Sequence, residues 1–474
     1  MRARPPLPLS VACVLALGGG LAHAGIVDVT TASELTAAID AAQPGDEIVL
    51  AAGTYRLSGA RCDAVGTAAQ PIIVRAATPL GATIELDGLE GFVVSGAHWQ
   101  FQDLDVVGVC ATDPACEHAF HVVGDADDFV LRGSRVRDFN AQLKVNAQLV
   151  GTAYAAPDRG LIEYNEIGDT RGRATSNPVT KLNIDTGDDW VIRANYLHDA
   201  RKLEGNGVSY AAFLKSGGKR GRFERNLVLC AKDVAAGGAQ IGLSLGGGGT
   251  GAQFCAPAFD PDVPCSIEHD EGTIRNNLIA NCTDVGIYLN RARNAHVLYN
   301  TLIATTGIDF RFDTTSGEAI GNVMTSVARI RDGATMTSTD NRENVSLATF
   351  QGWYQAPLVG DLTVTGDVTG LQGIGPVRAD VVDDYCGAAR PTGPYTLGAI
   401  EHTAGGCVTT RPPVVDPPVE PPQGDGGPGP GGDAGTGGTE PDATGCCEAS
   451  GGRGGPGALA LGLLVVLGVR RRRR

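Results

Sequence analysis

Residues 211–226 form a basic segment in a chain that is otherwise acidic. The whole chain of 474 residues has a formal net charge of −15. The segment reads AAFLKSGGKRGRFERN and, against one acid, contains five basic residues: Lys215, Lys219, Arg220, Arg222 and Arg225. A positive patch on an acidic protein can bind an anionic polymer, whereas the overall charge disfavours a nucleic-acid partner. The segment therefore predicts an anionic ligand, and a solvated turn at residues 219–222 is the plainer alternative.

Several short alternating segments carry further polar residues that could share a surface with Lys215. Alternate side chains of a strand lie on opposite faces. In five segments between residues 181 and 311, alternation directs one set outward: Lys181, Asn183, Asp185, Phe213, Lys215, Gly242, Ser244, Gly246, Tyr288, Asn290, Asp309 and Arg311. Ordinary outer faces of sheets favour Thr, Ser and Val. We therefore expect a ligand-binding groove, with a plain polar sheet face as the alternative.

A groove of this kind could cleave a uronate-containing polysaccharide by β-elimination. The reaction needs a neutralised carboxylate, a base for the C5 proton and an acid for the leaving oxygen. Lys215 is the candidate base, because neighbouring cations and partial burial make a lysine easier to deprotonate. Tyr288 or Arg311 could donate the proton or neutralise charge. The candidate substrate contacts are Asn183, Asp185, Phe213, Ser244, Asn290, Asp309 and Arg222.

A calcium ion is a possible cofactor of this groove. Asp185, with Asn183 and Asn290, offers the oxygen ligands that calcium prefers. Apart from calcium, the sequence predicts no cofactor.

Two other functions are compatible with the same residues. Asp185 with Asp188 and Asp189 faintly resembles the acids of β-helix polygalacturonases, which are hydrolases with paired carboxylates. A simple turn at residues 187–189 is the alternative to that interpretation. The second possibility is a non-catalytic cell-surface adhesin or carbohydrate-binding protein, which fold alone does not exclude.

A recurring phrase explains how these residues would be positioned. Two or three residues with apolar alternation are followed by Asn and an apolar pair, with the Asn at positions 165, 195, 226, 277, 300 and 322. Each unit is too small to bury its own apolar face, so the units must stack. Asn suits the turns, and stacked Asn side chains can pair between coils. The widest gap holds an insert at residues 246–270, in which His269 is either an acid–base candidate or a surface histidine.

The repeats and the opening phrase SELTAAIDAAQPGDEIVLAAGTY at residues 33–55 resemble secreted right-handed parallel β-helix proteins of the pectate-lyase-like superfamily. The nearest type is that of chondroitinase B and alginate lyases. The resemblance implies an all-β, single right-handed parallel β-helix over residues 25–401, with an N-terminal capping helix at residues 33–42. It also implies that Lys215, in its Lys-Ser strand, is the base of a polysaccharide lyase.

The chain departs from that family at two places. The calcium-binding glutamates shortly before the lysine are replaced by Val208 and Tyr210. The arginine about one coil later is replaced by residues 242–246, which read GLSLG. A compensating Arg311 would lie about three coils from Lys215, roughly 14 Å away, which suits substrate binding better than shared chemistry.

The two ends of the chain predict export. Residues 1–24 have the basic start, apolar run and Ala22-His23-Ala24 site of a signal peptide. Residues 402–445 predict a disordered Pro/Gly-rich linker. Residues 446–474, with paired Cys, an apolar run and terminal arginines, resemble a myxobacterial-type sorting tail, with a single-pass anchor as the alternative. We expect a secreted or surface-anchored monomer that touches membrane only through this tail.

The cysteines also favour an oxidising compartment. Excluding Cys13 and the Cys446-Cys447 pair, nine remain in the predicted exported domain. No C-x-x-C spacing occurs among them, so disulfides are favoured over zinc. The expected pairs are Cys110–Cys116, Cys255–Cys265 and Cys386–Cys407, with Cys230–Cys282 possible and Cys62 left over.

Overall fold

Three long parallel sheets, which we name sheets I, II and III, run side by side along the chain and are built coil by coil. The computed structural model describes residues 25–247, 254–260, 262–263, 265–402 and 408–411. Each coil adds neighbouring strands to the sheets, and every strand pair within the three sheets is parallel, with continuous register. The fold is the predicted all-β parallel β-helix.

The strands are numbered β1 to β39 in chain order. Sheet I consists of β1 (Ile26–Val29), β2 (Glu47–Leu50), β5 (Ile72–Ala76), β8 (Trp99–Gln102), β11 (Val130–Arg132), β16 (Leu161–Glu163), β19 (Val191–Arg193), β23 (Arg222–Glu224), β27 (Thr273–Arg275), β31 (Ala295–Leu298), β34 (Gly317–Ile320) and β37 (Thr337–Thr339). Sheet II consists of β4 (Ala60–Cys62), β7 (Glu90–Val94), β10 (His118–Val123), β13 (Ala141–Asn146), β18 (Val179–Asp185), β21 (Val208–Lys215), β25 (Ala239–Leu245), β29 (Ile287–Asn290), β33 (Ile308–Arg311) and β36 (Ala328–Arg331).

Sheet III consists of β3 (Gly53–Leu57), β6 (Ala82–Leu86), β9 (Asp105–Gly108), β12 (Arg135–Arg137), β17 (Glu166–Gly168), β20 (Tyr196–His198), β24 (Leu227–Leu229), β28 (Leu278–Ala280), β32 (Thr301–Ile303) and β35 (Val323–Met324). Three small sheets contain the remaining strands: β14 (Gln148–Val150) with β15 (Ala153–Ala155), β38 (Tyr354–Ala356) with β39 (Asp361–Val364), and β22 (Gly218–Lys219) with β26 (His269–Asp270) and β30 (Ala292–Arg293).

A column of amides, which we call the asparagine ladder, holds successive coils in register. In each step the backbone N–H and the side-chain Nδ2 of one Asn donate to Oδ1 of the Asn on the next coil, at 2.9–3.1 Å between Asn165, Asn195, Asn226 and Asn277. The same Nδ2 also donates to a backbone carbonyl of the preceding coil. The complete ladder comprises Ser134, Asn165, Asn195, Asn226, Asn277, Asn300, Asn322 and Asn341. The predicted pairing of Asn side chains between coils is confirmed.

The N-terminal end of the core is covered by helix α1 (Ala32–Asp40), close to the predicted capping helix. It begins with a capping box in which Thr31 and Glu34 satisfy each other's backbone N–H groups. Leu35 and Ile39 on its inner face are buried in the core.

The C-terminal part of the domain departs from the expected solenoid. The coils end at the last ladder residue, Asn341, and the chain then forms helix α2 (Leu347–Trp353) and irregular turns. Tyr354 and Tyr385 pack with Leu227 and Leu278 of sheet III in one apolar cluster. Residues 345–402 therefore cover the outer face of sheet III, where the repeat pattern predicted a continuing solenoid.

The cysteines pair largely as expected. Disulfides join Cys110 to Cys116, Cys230 to Cys282 and Cys255 to Cys265, and Cys62 is a buried free thiol. Cys386 is also disulfide-bonded, and its expected partner Cys407 lies outside the described residues. Disulfides are typical of proteins that fold in an oxidising compartment.

The predicted signal peptide, the C-terminal tail and most of the predicted linker lie outside the described residues. Among the residues that the structure does describe, neither α-helix is long and apolar enough to cross a bilayer.

Candidate active site

The register of sheet II aligns side chains from successive coils into two polar columns. The first, which we call the cavity column, comprises Lys144, Asn183, Phe213, Ser244, Tyr288, Asp309 and Arg329. Two residues further along the same strands, Asp185 pairs with Lys215, and Asn290 pairs with Arg311 and then Arg331. Neighbouring strands lie roughly 4.8 Å apart, so residues of adjacent coils are in contact range.

These columns line a cavity of about 760 Å³ on the outer face of sheet II. Eight of the predicted site residues line it: Asn183, Asp185, Phe213, Lys215, Tyr288, Asn290, Asp309 and Arg311. Five basic and three acidic side chains among the lining residues give the cavity a net charge of +2. In a chain with a net charge of −15, such a concave positive surface favours an anionic ligand.

Two lysines and one carboxylate form the most deeply buried ionic cluster of the cavity. Lys144 donates to Asp185 Oδ2 and, at 3.2 Å, to Asn183 Oδ1. Lys215 Nζ lies 3.2 Å from Asp185 Oδ1, but this oxygen has no aligned hydrogen bond. Lys144 is therefore held by two acceptors, whereas Lys215 has only an unaligned ion pair with the carboxylate.

The cluster changes the pKa values of Lys144 and Asp185. Burial lowers the pKa of Lys144 below its ordinary value, and the nearby Lys215 acts in the same direction against the opposing charge of Asp185. Burial alone would raise the pKa of Asp185, but the two ammonium groups outweigh it and lower the pKa. Asp185 is therefore an anion, and the ammonium group of Lys144 alone would still neutralise its charge.

Glycine and aromatic residues shape the surface around Lys215. Its Nζ lies 4.6 Å from the centre of the Phe213 ring, a cation–π contact, and Tyr210 packs edge-on against the same ring at 5.3 Å. A Cβ on Gly247 would lie 3.1 Å from Lys215 Cδ, and Gly246 has φ +78° at a position where a Cβ would clash with Asn290 O. Larger residues at these two positions would displace Lys215 or the neighbouring coil.

The far end of the cavity contains Tyr288 and Arg311. Arg311 Nη1 donates to Tyr288 Oη at 3.3 Å, and its Nε pairs with Asp332 at 2.5 Å. Burial raises the pKa of Tyr288, and the hydrogen bond from Arg311 opposes this only in part. The phenol therefore keeps its proton at neutral pH. Asp309, buried beside it, is neutralised by Arg329 and Arg331.

Three residues predicted for the groove do not line the cavity. Ser244 has its place in the cavity column, but it is fully buried, and its hydroxyl donates to the backbone carbonyl of Tyr288 at 3.0 Å. Arg222 lies on β23 of sheet I, 3.8 Å from Glu224, and does not line the cavity. Lys181 points inward and forms a fully buried ion pair with Asp169, because two consecutive residues, 181 and 182, face the interior at this point of β18.

The other acid–base candidates also lie outside the cavity. Arg220 binds Asp188 at 3.1 Å and Asp189 at 2.7 Å on an exposed turn, so residues 187–189 form the turn that was the alternative to a hydrolase site. His269 is buried in β26 and accepts a hydrogen bond from the Gly221 N–H at 3.1 Å. Burial lowers the pKa of His269 to about 3, so it is a neutral scaffold residue.

The sequence pattern missed several residues that line the cavity, among them Lys144 of the ionic cluster. It lies on β13, one strand before Asn183 in sheet II, but the two residues are 39 positions apart because the hairpin β14–β15 and strands β16 and β17 lie between them. Ser134 also replaces Asn at the corresponding ladder position. The alternation of apolar and polar residues in AQLKVN at residues 141–146 indicates a strand. No ladder Asn follows it at the usual spacing, however, to align this strand with the later ones.

The cavity does not supply a convincing calcium site at Asp185. Calcium takes 6–8 oxygen ligands, usually with more than one carboxylate. Both oxygens of Asp185 already face ammonium groups, and Asp309 is neutralised by two arginines. A divalent ion on Asp185 would be repelled by Lys144 and Lys215 unless those side chains moved. Other clusters of potential metal ligands exist among the described residues.

Comparisons with known proteins agree on the fold. The family model for chondroitinase B matches residues 29–106, a stretch that ends before the cavity residues begin. No curated protein matches the chain significantly. The crystal structure of pectate lyase Pel9A is similar, with a TM-score of 0.51 and 13% sequence identity, over 80% of this chain and 97% of that one.

Two further solved structures are more distant. An alginate lyase from Paenibacillus sp. str. FPU-7 has a TM-score of 0.36 and 16% identity over 66% of this chain and 99% of its own. A rhamnogalacturonan lyase has a TM-score of 0.43 and 15% identity over 77% of this chain and 99% of its own. The chain has the parallel β-helix fold that is also found in pectate lyase.

Proposed function

We propose that this protein is an exported polysaccharide lyase that cleaves an acidic, uronate-containing polysaccharide by β-elimination. The observation that carries the proposal is the cluster of Lys144, Asp185 and Lys215 in the wall of a positively charged cavity. The partial match to a chondroitinase B family model supports the same class of reaction.

Lys215 is the proposed base. Lys144 and Lys215 share the single carboxylate of Asp185, so the cluster contains one amine more than the carboxylate can pair with. Lys144 is held by Asn183 and Asp185, while Lys215 has no aligned hydrogen bond to Asp185. Lys215 is therefore the amine that can turn to substrate, and Lys144 remains as the ammonium that helps to neutralise the substrate carboxylate.

Tyr288 is the proposed acid, and Arg311 is a binding residue. The Lys215 amine takes the C5 proton, the C5–H electron pair forms the C4–C5 double bond, and the C4–O bond breaks. The leaving oxygen takes a proton from the Tyr288 hydroxyl, which is protonated at neutral pH because burial raises its pKa. Arg311, hydrogen-bonded to Tyr288, would hold a carboxylate of a neighbouring sugar. Solvent then restores the two proton states, and no step is assigned to calcium.

Aromatic side chains would position the sugar rings. Phe213, Tyr210, Tyr288, Phe254 and Phe312 all line the cavity, and apolar ring faces favour contacts with sugars in a largely polar site. The strands of Lys215 and Arg311 are three apart, roughly 14 Å, so their long side chains would contact neighbouring sugar units of one bound oligosaccharide.

The test is incubation of the purified protein with alginate, pectate and glycosaminoglycans. Unsaturated product, measured by ultraviolet absorbance, is expected from one of them and should be lost in Lys215→Ala. New reducing ends without unsaturation would instead establish a hydrolase. Retention of a polymer without any product would establish the binding or adhesin function, and both of these results would contradict the proposal.

A further inference from the structure

Glu90, His118 and His121 form a compact cluster on the outer face of sheet II, outside the cavity described above. Glu90 begins β7, and His118 is its register partner on β10. His118 Nδ1 lies 3.0 and 2.9 Å from the two Glu90 carboxylate oxygens, and His121 Nδ1 lies 3.1 Å from Oε2. The three side chains are 13%, 22% and 31% exposed for His118, His121 and Glu90, so solvent reaches them.

The hydrogen bonds of Asn146 fix the tautomer of His121. The Asn146 Nδ2 group donates to the carbonyl of Ala147 at 2.9 Å, so its Oδ1 is the atom that lies 2.8 Å from His121 Nε2. Because Oδ1 can only accept, Nε2 must carry the hydrogen. In the neutral imidazole, the lone pair of Nδ1 then points at the carboxylate of Glu90.

A lone pair that faces a carboxylate is unfavourable unless a positive group lies between them. The same carboxylate also lies against Nδ1 of His118, so three potential metal ligands converge on one small volume. All of these ligand atoms lie within 4.8 Å of one another. Either a proton or a metal ion on Nδ1 would relieve this repulsion, and His121 has the arrangement of a metal-binding histidine, with its other ring nitrogen donating to an oxygen.

The spacing also suits a small metal ion. Ligand bonds of about 2.0–2.1 Å in a tetrahedron place ligand atoms roughly 3.3 Å apart. The nitrogen-to-oxygen distances of 2.9 and 3.1 Å require only a slight expansion. Two imidazole nitrogens and one carboxylate match zinc and neighbouring transition metals, whereas calcium requires more oxygen ligands.

We propose that Glu90, His118 and His121 bind a divalent transition metal of the zinc type, with Asn146 orienting His121. Three protein ligands leave a fourth position for water or for an anionic group of a ligand. His121 is the register partner of Lys144, so the ion would extend the positive surface by one strand beyond the cavity. The metal site does not depend on the lyase reaction, and the two proposals can fail separately.

A second cluster provides a matched control on the same protein. His296, Glu318 and Asp380 also have ligand atoms within 4.8 Å of one another. However, Arg378 donates to Glu318 at 2.6 Å and to Asp380 at 2.7 Å. The guanidinium already supplies the positive charge there, so this cluster should not bind metal.

The experiment is metal binding by the full chain after chelator treatment. We expect one Zn²⁺ per chain by calorimetry, and one Co²⁺ with the intense visible absorption of a low-coordinate site. His121→Gln and His118→Gln should each weaken Zn²⁺ binding by at least about 100-fold, and Asn146→Ala by about 10- to 100-fold. His296→Gln should bind Zn²⁺ like the wild type.

Two results would overturn the proposal: no Zn²⁺ or Co²⁺ binding by the wild type at neutral pH, or equal binding by wild type and His121→Gln. If the histidine variants do not fold, unchanged Zn²⁺ affinity in a folded Asn146→Ala variant would also contradict it. Loss of binding in His296→Gln with retention in His121→Gln would move the site to the second cluster and contradict the proposal as well.

Discussion

The asparagine ladder and the cavity column are both lines of side chains that run from coil to coil. The ladder holds the coils together, whereas the cavity column presents side chains to a ligand-sized cavity. In the ladder almost every coil contributes the same residue, and each amide is fully hydrogen-bonded to the coils on either side. In the cavity column the residue type changes at every coil, from Lys144 through Phe213 to Asp309. Because the ladder repeats one residue, the hydrogen-bonding groups of its amides are paired within the protein. The varied residues of the cavity column instead include charged and aromatic side chains that face the cavity.

This difference separates scaffold from function within a single repeat. An amide whose donors and acceptor are all paired has nothing left to offer a ligand. The ionic cluster of Lys144, Asp185 and Lys215 holds one more cation than anion and opens on a cavity. Mutations in the two columns should therefore affect different measurements.

The largest effect is expected at Lys215. Lys215→Ala should lower kcat by about 10²–10⁴-fold, the range for loss of a general base. The free energy of unfolding should change little, because the lost ion pair with Asp185 is unaligned and Lys144 still neutralises the carboxylate. Initial rates of unsaturated product and denaturant unfolding, measured on the same preparation, test both statements.

Replacement of Lys219 and Arg220 together by Ala is the control for that variant. Both residues are basic and close in sequence to Lys215, but neither lines the cavity. If this double variant loses as much activity as Lys215→Ala, a diffuse basic surface rather than the ionic cluster is responsible.

The next largest effect is a loss of stability when an Asn of the ladder is replaced. Asn277→Ala removes donors to Phe223 O and Asn300 Oδ1, each at 2.9 Å, and the acceptor for Asn226. An unpaired buried polar group costs about 1–3 kcal/mol, so the free energy of unfolding should fall by at least that amount. The kcat of the folded fraction should be unchanged. Equal stability of variant and wild type in urea would show that the ladder is not what holds the coils in register.

A smaller effect is expected at Arg311. Arg311→Ala should raise KM for the polymer about tenfold with little change in kcat, and the ratio to wild type should shrink at high salt, as for a screened anion contact. Arg220→Ala, which removes an arginine bound to Asp188 and Asp189 on an exposed turn, should leave KM unchanged. A salt-independent loss, or a loss confined to kcat, would exclude a binding role for Arg311.

The last predicted effect, which is small at neutral pH, is a pH dependence of the scaffold at His269. Burial lowers its folded-state pKa from 6.5 to about 3, so between these values the unfolded chain binds a proton that the native protein does not. The free energy of unfolding should therefore decrease as pH falls from about 6.5 to about 3. His269→Gln should show a shallower decrease in urea titrations across this range. Parallel curves for the two proteins would show that His269 is not buried as a neutral group.

The sequence predicts the fold and much of the cavity because the ladder is visible in it. The Asn residues mark register, and counting back from them identified Asn183, Lys215, Tyr288 and Arg311 as neighbours that line one cavity. The high density of basic residues in the segment 211–226 was a poorer guide to the cavity residues. It suggested Arg222, which lies on sheet I because its strand belongs to a different side of the coil.

Three features were not predictable by this route. Alternation fails at Lys181, where two consecutive residues face the interior. Lys144 and the histidine cluster lie before the first ladder Asn, where the sequence has no register mark. The fold-back of residues 345–402 onto sheet III depends on packing between Tyr385 and Leu278, distant in sequence, and no local pattern encodes such contacts.

The ladder also determines how this domain can change length during evolution. Each ladder Asn pairs with the Asn of the coil on either side, and the same pairing holds coils of 19 to 51 residues. Loops between strands can thus grow freely, but a shift of one residue within a ladder strand would break the amide contacts and turn outward side chains inward. Gain or loss of whole coils is the change that keeps the ladder intact. The cavity would then be lengthened or shortened in discrete steps, each the width of one strand.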